Sequence, residues 1–277
     1  MVKTMKNLVQ RALTGILFVA IVVAAICVHP LLFAVVFSII VGFLIHEFYS
    51  MSGNKGSKWQ RSLGIFGGMY FFFSSSLYAG SFVGYEIYLP YILIIIILLI
   101  SGLYVRSENP VIQWGLIFFS QCYCAGFLSL LCFIPYMISP AYNSWPVLMI
   151  FIFIWLNDTG AYLIGSLIGK HRLFPRISPL KSWEGFFGGL AVVIIASLVF
   201  SRFSLLEMEW YYWLIFAVLT VASATFGDLA ESLIKRTYKV KDSGTILPGH
   251  GGFFDRFDSV ILVSPVVYFF FELVIQN

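Results

Sequence analysis

Residues 147–168 read VLMIFIFIWLNDTGAYLIGSLI, an apolar run interrupted near its middle by Asn157 and Asp158. A helix needs about 20 mostly apolar residues to cross a bilayer, so this run predicts a membrane-spanning helix. Similar runs recur along the chain. The sequence therefore predicts an all-α fold, that of a polytopic helical membrane protein.

The composition of the whole chain supports this fold class. Of the 277 residues, 60% are hydrophobic and 11% are charged, whereas soluble domains carry about 25% charged residues. Aromatic residues make up 18% of the chain, which suits a surface that faces lipid. No stretch is polar enough to form a separate soluble domain.

The apolar runs predict about nine membrane spans. We expect N-terminal transmembrane helices over residues 1–140 and a C-terminal transmembrane catalytic region over residues 141–277. The spans lie near residues 12–28, 30–49, 62–81, 87–104, 111–138, 147–168, 185–201, 210–227 and 259–275. The run 111–138 is long enough to tilt, or to end in a turn at Pro135.

The positive charges support this number of spans. With the N-terminus in the cytoplasm and the spans alternating, every Lys and Arg except Arg202 falls in a cytoplasmic segment, as the positive-inside rule predicts. Two of these segments, 169–184 and 228–258, are rich in polar residues. We therefore expect a multi-pass protein of the cytoplasmic (inner) membrane whose active site faces the cytoplasm.

Acidic residues within or beside the apolar runs are candidate functional groups. A charge at the depth of Asp158 is costly unless it faces a polar cavity or a partner. Asp158, Thr159 and Tyr162 share one helix face, which favours a functional site over the alternative, a polar pair that packs two helices. Glu47, beside His46 at the end of the second span, is instead expected to be solvated.

The loop 169–184 combines basic residues with the start of a helix. Ser178-Pro179 indicates a turn, and Ser182 is expected to cap a helix whose first turn contains Glu184. A basic loop that leads into a helix N-terminus is a reasonable anion site. An ordinary topogenic loop with a capped helix explains the same residues, and the loop alone leaves both interpretations open.

The segment 227–258 carries the densest polar pattern. Two carboxylates, a hydroxyl and an ammonium recur at the spacing of one helix face: Asp228, Glu231, Ser232 and Lys235. A glycine-rich loop around His250 follows, and its glycines let backbone N–H groups come close to an anion. A last helix then begins with Asp255 and Asp258, which lie one turn apart.

These residue types suit phosphate chemistry with a divalent cation. Mg²⁺ prefers one or two carboxylates together with substrate phosphate oxygens, while Lys and Arg can bind the phosphates. Phosphoryl transfer is catalysed mainly by positioning and charge neutralisation, which such groups supply. The alternative, a topogenic positive loop with incidental acids, does not explain the density of polar groups at the ends of membrane helices.

The end of the chain resembles the signature of a known family, the phosphatidate cytidylyltransferases, also called CDP-diacylglycerol synthases. The resemblance rests on SLIKR at residues 232–236 and KDSGTILPGHGGFFDRFD at residues 241–258. It covers residues 150–260 well, whereas the earlier spans match only in being hydrophobic and similarly arranged.

The stretches 158–162 and 178–185 also look like motifs of this family. The second stretch departs once, because Leu180 stands where relatives usually have a second Lys. This departure leaves Lys181 as the single lysine there.

The resemblance implies the reaction. CTP and phosphatidate would give CDP-diacylglycerol and pyrophosphate, with Mg²⁺ as cofactor, in phospholipid biosynthesis. The implied partners are CTP, phosphatidate from the bilayer and membrane lipid, and no nucleic acid is expected. The sequence is compatible with a second cation and with a homodimer.

The resemblance also implies site residues. Asp228 and Asp255 are the implied metal ligands, and together with the candidates Lys235 and His250 they form the expected catalytic set. The expected substrate-binding residues are the charged and hydroxyl-bearing side chains of the polar segments: Lys181, Ser182, Ser232, Arg236, Lys241, Arg256 and Asp158. Weaker candidates, which would support these groups, are Glu231, Asp242 and Asp258.

Other classes of function explain less of the pattern. A transporter or channel would use intramembrane acids and usually shows a repeat between its halves, but the N-terminal half has no counterpart of the segment 227–258. A membrane scaffold would not need the polar helix face. Another CTP-using membrane enzyme, such as a polyprenol kinase or a synthase for a different lipid anion, would differ from the implied enzyme in its substrate. The motif at residues 232–258 looks like the diacylglycerol branch specifically.

Overall fold

The computed structural model describes residues 2–53, 57–104, 109–203, 206, 208–247, 249 and 251–275, with side chains from residue 12 to residue 274 of these ranges. Helices dominate this part of the chain, and its named strands form a single short hairpin. The predicted all-α class is therefore confirmed.

The described helices are long and follow the predicted apolar runs. They are α1 (Val2–Val28), α2 (Pro30–Met51), α3 (Lys58–Ala79), α4 (Leu89–Ser101), α5 (Pro110–Ser120), α6 (Trp145–Ile168), α7 (Trp183–Ser201), α8 (Trp210–Thr237) and α9 (Phe254–Ile275). A 3₁₀ turn, Tyr85–Tyr88, precedes α4. The hairpin joins β1 (Arg172–Phe174) to β2 (Ser178–Ser182).

Six helical segments of the described chain are long and apolar enough to cross a membrane: α2, the run Pro110–Tyr136, α6, α7, α8 and α9. Two shorter apolar segments, Ala12–Val28 and Tyr85–Ser101, also coincide with predicted spans. α3 begins with basic residues and contains several serines, and it is not among the six. The chain is thus a multi-pass membrane protein, while the total of nine spans and the cytoplasmic N-terminus stay predictions.

Local sequence explains where two of the helices begin. Pro30 occupies the first position of α2, where its missing N–H would be unpaired in any case, and the His29 ring accepts the Leu31 N–H at 3.1 Å. Ser57 and Gln60 form a capping box at the start of α3. These caps set the starts of α2 and α3.

The run predicted as one span at 111–138 is not a uniform helix. α5 passes into a π-helical turn, Gln121–Gly126, and then into short helical pieces that end at Tyr136. The Gln121 side chain is buried, and its amide donates to the Gly64 carbonyl oxygen at 2.8 Å. The wider turn thus accompanies a polar contact between helices.

The chain divides into two compact units. Unit 1 comprises Met1–Phe133 and Tyr238–Phe257, and unit 2 comprises Ile134–Thr237 and Asp258–Asn277. The predicted domains, residues 1–140 and 141–277, stay a prediction.

Within unit 2, α6 and α7 pack closely because small residues face each other. A β-carbon on Gly160 would lie 3.1 Å from the Cα of Gly189, and one on Gly165 would lie 3.3 Å from the Cα of Gly185. The two helices therefore approach backbone to backbone at both positions.

We expect Gly189→Ala to destabilise the protein, because its methyl group would lie 2.8 Å from the Asn157 carbonyl oxygen. Overpacking of this kind costs about 1–3 kcal/mol. Gly115→Ala in α5 is a matched control, since a β-carbon there meets no described atom within 4 Å and alanine favours a helix over glycine. Thermal unfolding in detergent should give a lower midpoint for Gly189→Ala alone. Equal midpoints for the two variants would contradict the close approach.

Candidate active site

A cavity of about 570 Å³ lies in unit 2, between α6, α7, α8 and the β-hairpin. Its polar wall includes Asp158 from α6, Lys181 and Ser182 from β2, and Asp228 from α8. These are four of the residues predicted for the site, and they come from three separate stretches of sequence. The fold of unit 2 therefore brings them to one cavity.

Lys181 and Asp228 form an ion pair on the cavity wall. Their side chains are 29% and 33% exposed, so solvent screens the attraction and the pair adds little to stability. Ser232, one turn further along α8, donates its hydroxyl to Asp228 Oδ1 at 3.3 Å. Asp228 is therefore oriented from two sides, by an ammonium group and by a hydroxyl.

The β-hairpin carries Lys181 to the cavity. β1 pairs antiparallel with β2, with Arg172 opposite Ser182. The Arg172 guanidinium donates to the Leu180 carbonyl oxygen at 3.2 Å. The Leu180 side chain itself is 84% exposed and lines the cavity, so the position that departs from the family pattern adds an apolar group to the wall.

The predicted turn at Ser178-Pro179 is wrong. The turn residues are 175–177, and Ser178 opens β2, where it pairs with Phe174. Pro175 supplies the fixed φ that suits a turn. Pro179 is tolerated in β2 because a two-stranded hairpin has only edge strands, where a missing N–H can face away from the partner.

Ser182 caps α7, as the sequence predicts. Its Oγ accepts the Gly185 N–H at 3.1 Å, and Glu184 lies in the first turn of the helix. The Glu184 carboxylate accepts the His171 backbone N–H at 3.1 Å and lies 2.6 Å from His171 Nδ1. Both contacts tie the start of the hairpin to the start of α7.

We expect Ser182→Ala to lower the stability of α7, because the Gly185 N–H loses its acceptor. Loss of an N-cap costs about 0.5–2 kcal/mol. Ser201→Ala at the other end of the helix is a matched control, since that hydroxyl donates to the Leu198 carbonyl within the helix. The thermal midpoint in detergent should fall for Ser182→Ala and stay near the wild-type value for Ser201→Ala. A wild-type midpoint for Ser182→Ala would rule out the capping role.

Asp228, Glu231 and Asp258 form an acidic cluster in which one carboxylate oxygen from each lies within 4.8 Å of the others. Gly227 allows Asp258 to come this close. A β-carbon at residue 227 would lie 2.6 Å from the Asp258 carbonyl oxygen, so only glycine permits the approach. Oxygens bound to an octahedral ion at about 2.1 Å are separated by about 3.0 or 4.2 Å. The cluster therefore fits a hard divalent cation after small side-chain movements.

Lys235 lies beside this cluster on the same face of α8. Its Nζ lies 2.7 Å from Glu231 Oε2, and the Glu231 side chain is 1% exposed. A carboxylate this deeply buried needs a partner of opposite charge. The polar face predicted for this helix thus carries acids that are each close to a lysine.

In unit 1, Asp255 organises the loop before α9. Its carboxylate accepts hydrogen bonds from the Ser243 N–H at 3.0 Å, from the Ser243 hydroxyl at 2.9 Å and from the Gly252 N–H at 2.9 Å. Two backbone N–H groups and a hydroxyl that also contacts Glu47 surround this carboxylate, so Asp255 is well oriented. Asp255 therefore binds both the first and the last residue of the glycine-rich segment (residues 243–252).

Glu47 is buried, with 2% of its surface exposed, and the prediction that it is solvated is wrong. It accepts hydrogen bonds from the Ser243 hydroxyl at 3.0 Å and from the N–H groups of Phe253 and Phe254 at 3.0 and 2.8 Å. An acid within an apolar span is the same signal that singled out Asp158. Its partners lie far along the chain, and for this reason the sequence alone did not identify them.

Asn157 and Asp158 take different positions on α6. Asn157 is 5% exposed and packs against Gly189 of α7, whereas Asp158 is exposed on the cavity wall. The helix-packing interpretation of this pair therefore applies to Asn157. Asp158 instead faces the same cavity as Lys181.

The described residues that line the cavity do not include the other predicted site residues. Asp228 and Asp255 belong to different units, so their pairing on one metal ion stays a prediction. His250 lies outside the described residues. The remaining predicted basic residues are exposed: Arg236, Lys241 and Arg256.

Comparison with known proteins points to one family. A family model described as "Cytidylyltransferase family" matches residues 9–274, which is nearly the whole chain. This match includes both units and every residue of the cavity.

Several curated bacterial proteins named phosphatidate cytidylyltransferase are similar to this chain. The one from Staphylococcus epidermidis is 51% identical over 123 residues, which cover 44% of this chain and 46% of that protein. The one from Bacillus subtilis is 44% identical over 122 residues (44% and 45%), and the one from Staphylococcus aureus is 47% identical over 123 residues (44% and 46%). The chain thus spans less than half of the length of these relatives.

Proposed function

Since the chain belongs to the cytidylyltransferase family, we propose that it converts CTP and phosphatidate to CDP-diacylglycerol and pyrophosphate. The relatives named above carry the name of this activity. The observation that carries the proposal is the cavity of unit 2, where Lys181 faces Asp228 next to two further carboxylates.

The walls of the cavity suit a lipid that carries a phosphate. Beside the polar groups lie exposed apolar side chains, including Tyr162 and Leu180, which are 75% and 84% exposed. On membrane helices such side chains can contact acyl chains while a lipid phosphate reaches Lys181. The volume, about 570 Å³, lies within the usual range of ligand pockets, about 300–1,000 Å³.

The lipid phosphate is the nucleophile of the proposed reaction. A phosphate monoester has a second pKa of about 6, so at neutral pH it is mostly dianionic and needs no strong general base. One of its oxygens attacks the α-phosphorus of CTP in line. A new P–O bond forms as the bond from the α-phosphorus to the bridging oxygen breaks, and pyrophosphate leaves with that electron pair.

Repulsion between two polyanions is the main obstacle to this attack. Positive groups fixed where negative charge develops lower the barrier. Lys181 on β2 and Lys235 on α8 supply such groups, and each is already oriented by a carboxylate. Ser182, which lines the cavity, is proposed to donate to a phosphate oxygen. Ser232 is proposed to do the same by turning its hydroxyl away from Asp228.

Mg²⁺ is the proposed cofactor. The carboxylates of Asp228, Glu231 and Asp258 are proposed to hold it, because hard divalent cations prefer oxygen ligands. When bound, the ion would neutralise negative charge on the phosphates. A role for Asp255 in metal binding and the presence of a second cation stay predictions.

The proposed location is the cytoplasmic membrane, with the site on the cytoplasmic face. CTP is soluble and highly charged, so its site has to open to the cytoplasm. The basic hairpin next to the cavity supports this orientation, because basic loops favour the cytoplasmic side. A homodimer stays a prediction.

We expect purified wild-type protein in detergent micelles to form CDP-diacylglycerol from CTP, phosphatidate and Mg²⁺, and Asp228→Asn to lose most of this activity. Loss of a metal ligand or its immediate partner should cost about 100-fold. Glu209→Gln is the control, because it makes the same carboxylate-to-amide change at an exposed residue outside the cavity. The thermal midpoints should confirm that all three proteins are folded.

Two outcomes would contradict the proposal. Wild-type rates in Asp228→Asn would exclude the cavity of unit 2 as the active site. Turnover of another lipid phosphate or of a polyprenol by the wild-type protein, with phosphatidate unused, would move the assignment to a different CTP-using membrane enzyme.

A further inference from the structure

Glu47 lies on α2, far along the chain from the signature residues, yet its carboxylate is surrounded by them. The carboxylate accepts hydrogen bonds from the N–H groups of Phe253 and Phe254 and lies 3.0 Å from the Ser243 hydroxyl, which also contacts Asp255. The two N–H groups lie at the start of α9, where a helix leaves backbone donors unpaired. Glu47 therefore caps these first residues of α9 from another helix.

Two glycines of the glycine-rich segment are needed for this contact. A β-carbon on Gly244 would lie 2.6 Å from Glu47 Oε1, and one on Gly252 would overlap both Glu47 and the Ser243 hydroxyl. The sequence suggests that such glycines bring N–H groups close to a bound anion. Here the anion beside Gly244 and Gly252 is a carboxylate of the protein itself.

Ser243 connects Glu47 to Asp255. Its hydroxyl lies 3.0 Å from Glu47 Oε2 and 2.9 Å from Asp255 Oδ2. A hydroxyl has one hydrogen and can donate to one acceptor at a time. Because the Ser243 N–H also donates to Asp255 at 3.0 Å, the orientation of Ser243 depends on both carboxylates. Ser243 therefore provides a direct route by which a change at Glu47 would alter the position of Asp255.

We propose that Glu47 is a positioning residue for the nucleotidyl transfer. It fixes both ends of the glycine-rich segment and thereby fixes the carboxylate of Asp255. The inference rests on the proposed function and on the prediction that Asp255 also contributes to Mg²⁺ binding. Glu47 is buried behind these residues, so it acts through them and not on the substrate.

The test compares Glu47→Gln with Glu86→Gln in the full-length protein. The amide keeps one acceptor oxygen, but in either orientation its NH₂ group faces at least one backbone N–H that already points at this side chain. Glu86 is exposed in the turn before α4, so the same chemical change there should have no effect. We expect Glu47→Gln to raise the Mg²⁺ concentration for half-maximal rate about 10-fold or more, as for groups that orient metal ligands.

A role limited to stability would lower the thermal midpoint and leave the Mg²⁺ dependence of the folded enzyme unchanged. Ser243→Ala gives a milder second variant, because it removes the shared hydroxyl and keeps the backbone donors. It should shift the Mg²⁺ dependence in the same direction. Wild-type Mg²⁺ dependence in both variants would overturn the proposal.

Tryptic cleavage after Lys241 gives a readout that does not depend on activity. Lys241 is exposed and lies two residues before Ser243, so loss of the Glu47 contact should speed cleavage there. If the wild-type protein made no CDP-lipid, the proposed function would fail, but faster cleavage in Glu47→Gln would still show that Glu47 holds the segment. Equal cleavage rates in wild type, Glu47→Gln and Glu86→Gln would refute this anchoring.

Discussion

A carboxylate placed at the end of apolar helices destabilises the fold unless donors or cations surround it. Four of the described acids satisfy this constraint, in two ways. In unit 2, Asp228 and Glu231 each face a lysine. In unit 1, Glu47 and Asp255 are held by backbone N–H groups and by a serine hydroxyl. The hairpin, the glycines and the start of α9 are arranged around these contacts.

The two solutions have different chemical consequences. The partner of Asp228 is the ammonium group of Lys181, which sits on a flexible side chain and is partly exposed. A metal ion can therefore compete for Asp228, and a phosphate can compete for Lys181. Backbone donors are fixed, so the acids of unit 1 are immobilised and Glu47 is closed to solvent. This difference favours Asp228 as the acid that exchanges its partner for a metal ion. It favours Glu47 as part of the support that orients the signature residues.

Much of the fold and part of the candidate site could be predicted from the sequence, because the sequence patterns that indicate them are local. Apolar runs of helical length, the Ser182 cap and the polar face of α8 depend on residues close together in the chain. The sequence does not predict the β-hairpin, because its strands are only three and five residues long. The burial of Glu47 is not predictable from local sequence, because its donors, Ser243, Phe253 and Phe254, lie about 200 residues further along the chain. The place of Asp258 in the acidic cluster is not apparent from the sequence, because its approach to Asp228 requires Gly227 and the packing of α8 against α9.

The acidic cluster of unit 2 can be tested without turnover. Mn²⁺ can replace Mg²⁺ as a probe, and the free ion is measured by its electron paramagnetic resonance signal during titration of the detergent-solubilised protein with CTP present. If Asp228, Glu231 and Asp258 hold the cation, Asp258→Asn should weaken Mn²⁺ binding about 10-fold or more. Identical Mn²⁺ binding by the wild type and by Asp258→Asn would contradict the assignment of the metal to this cluster.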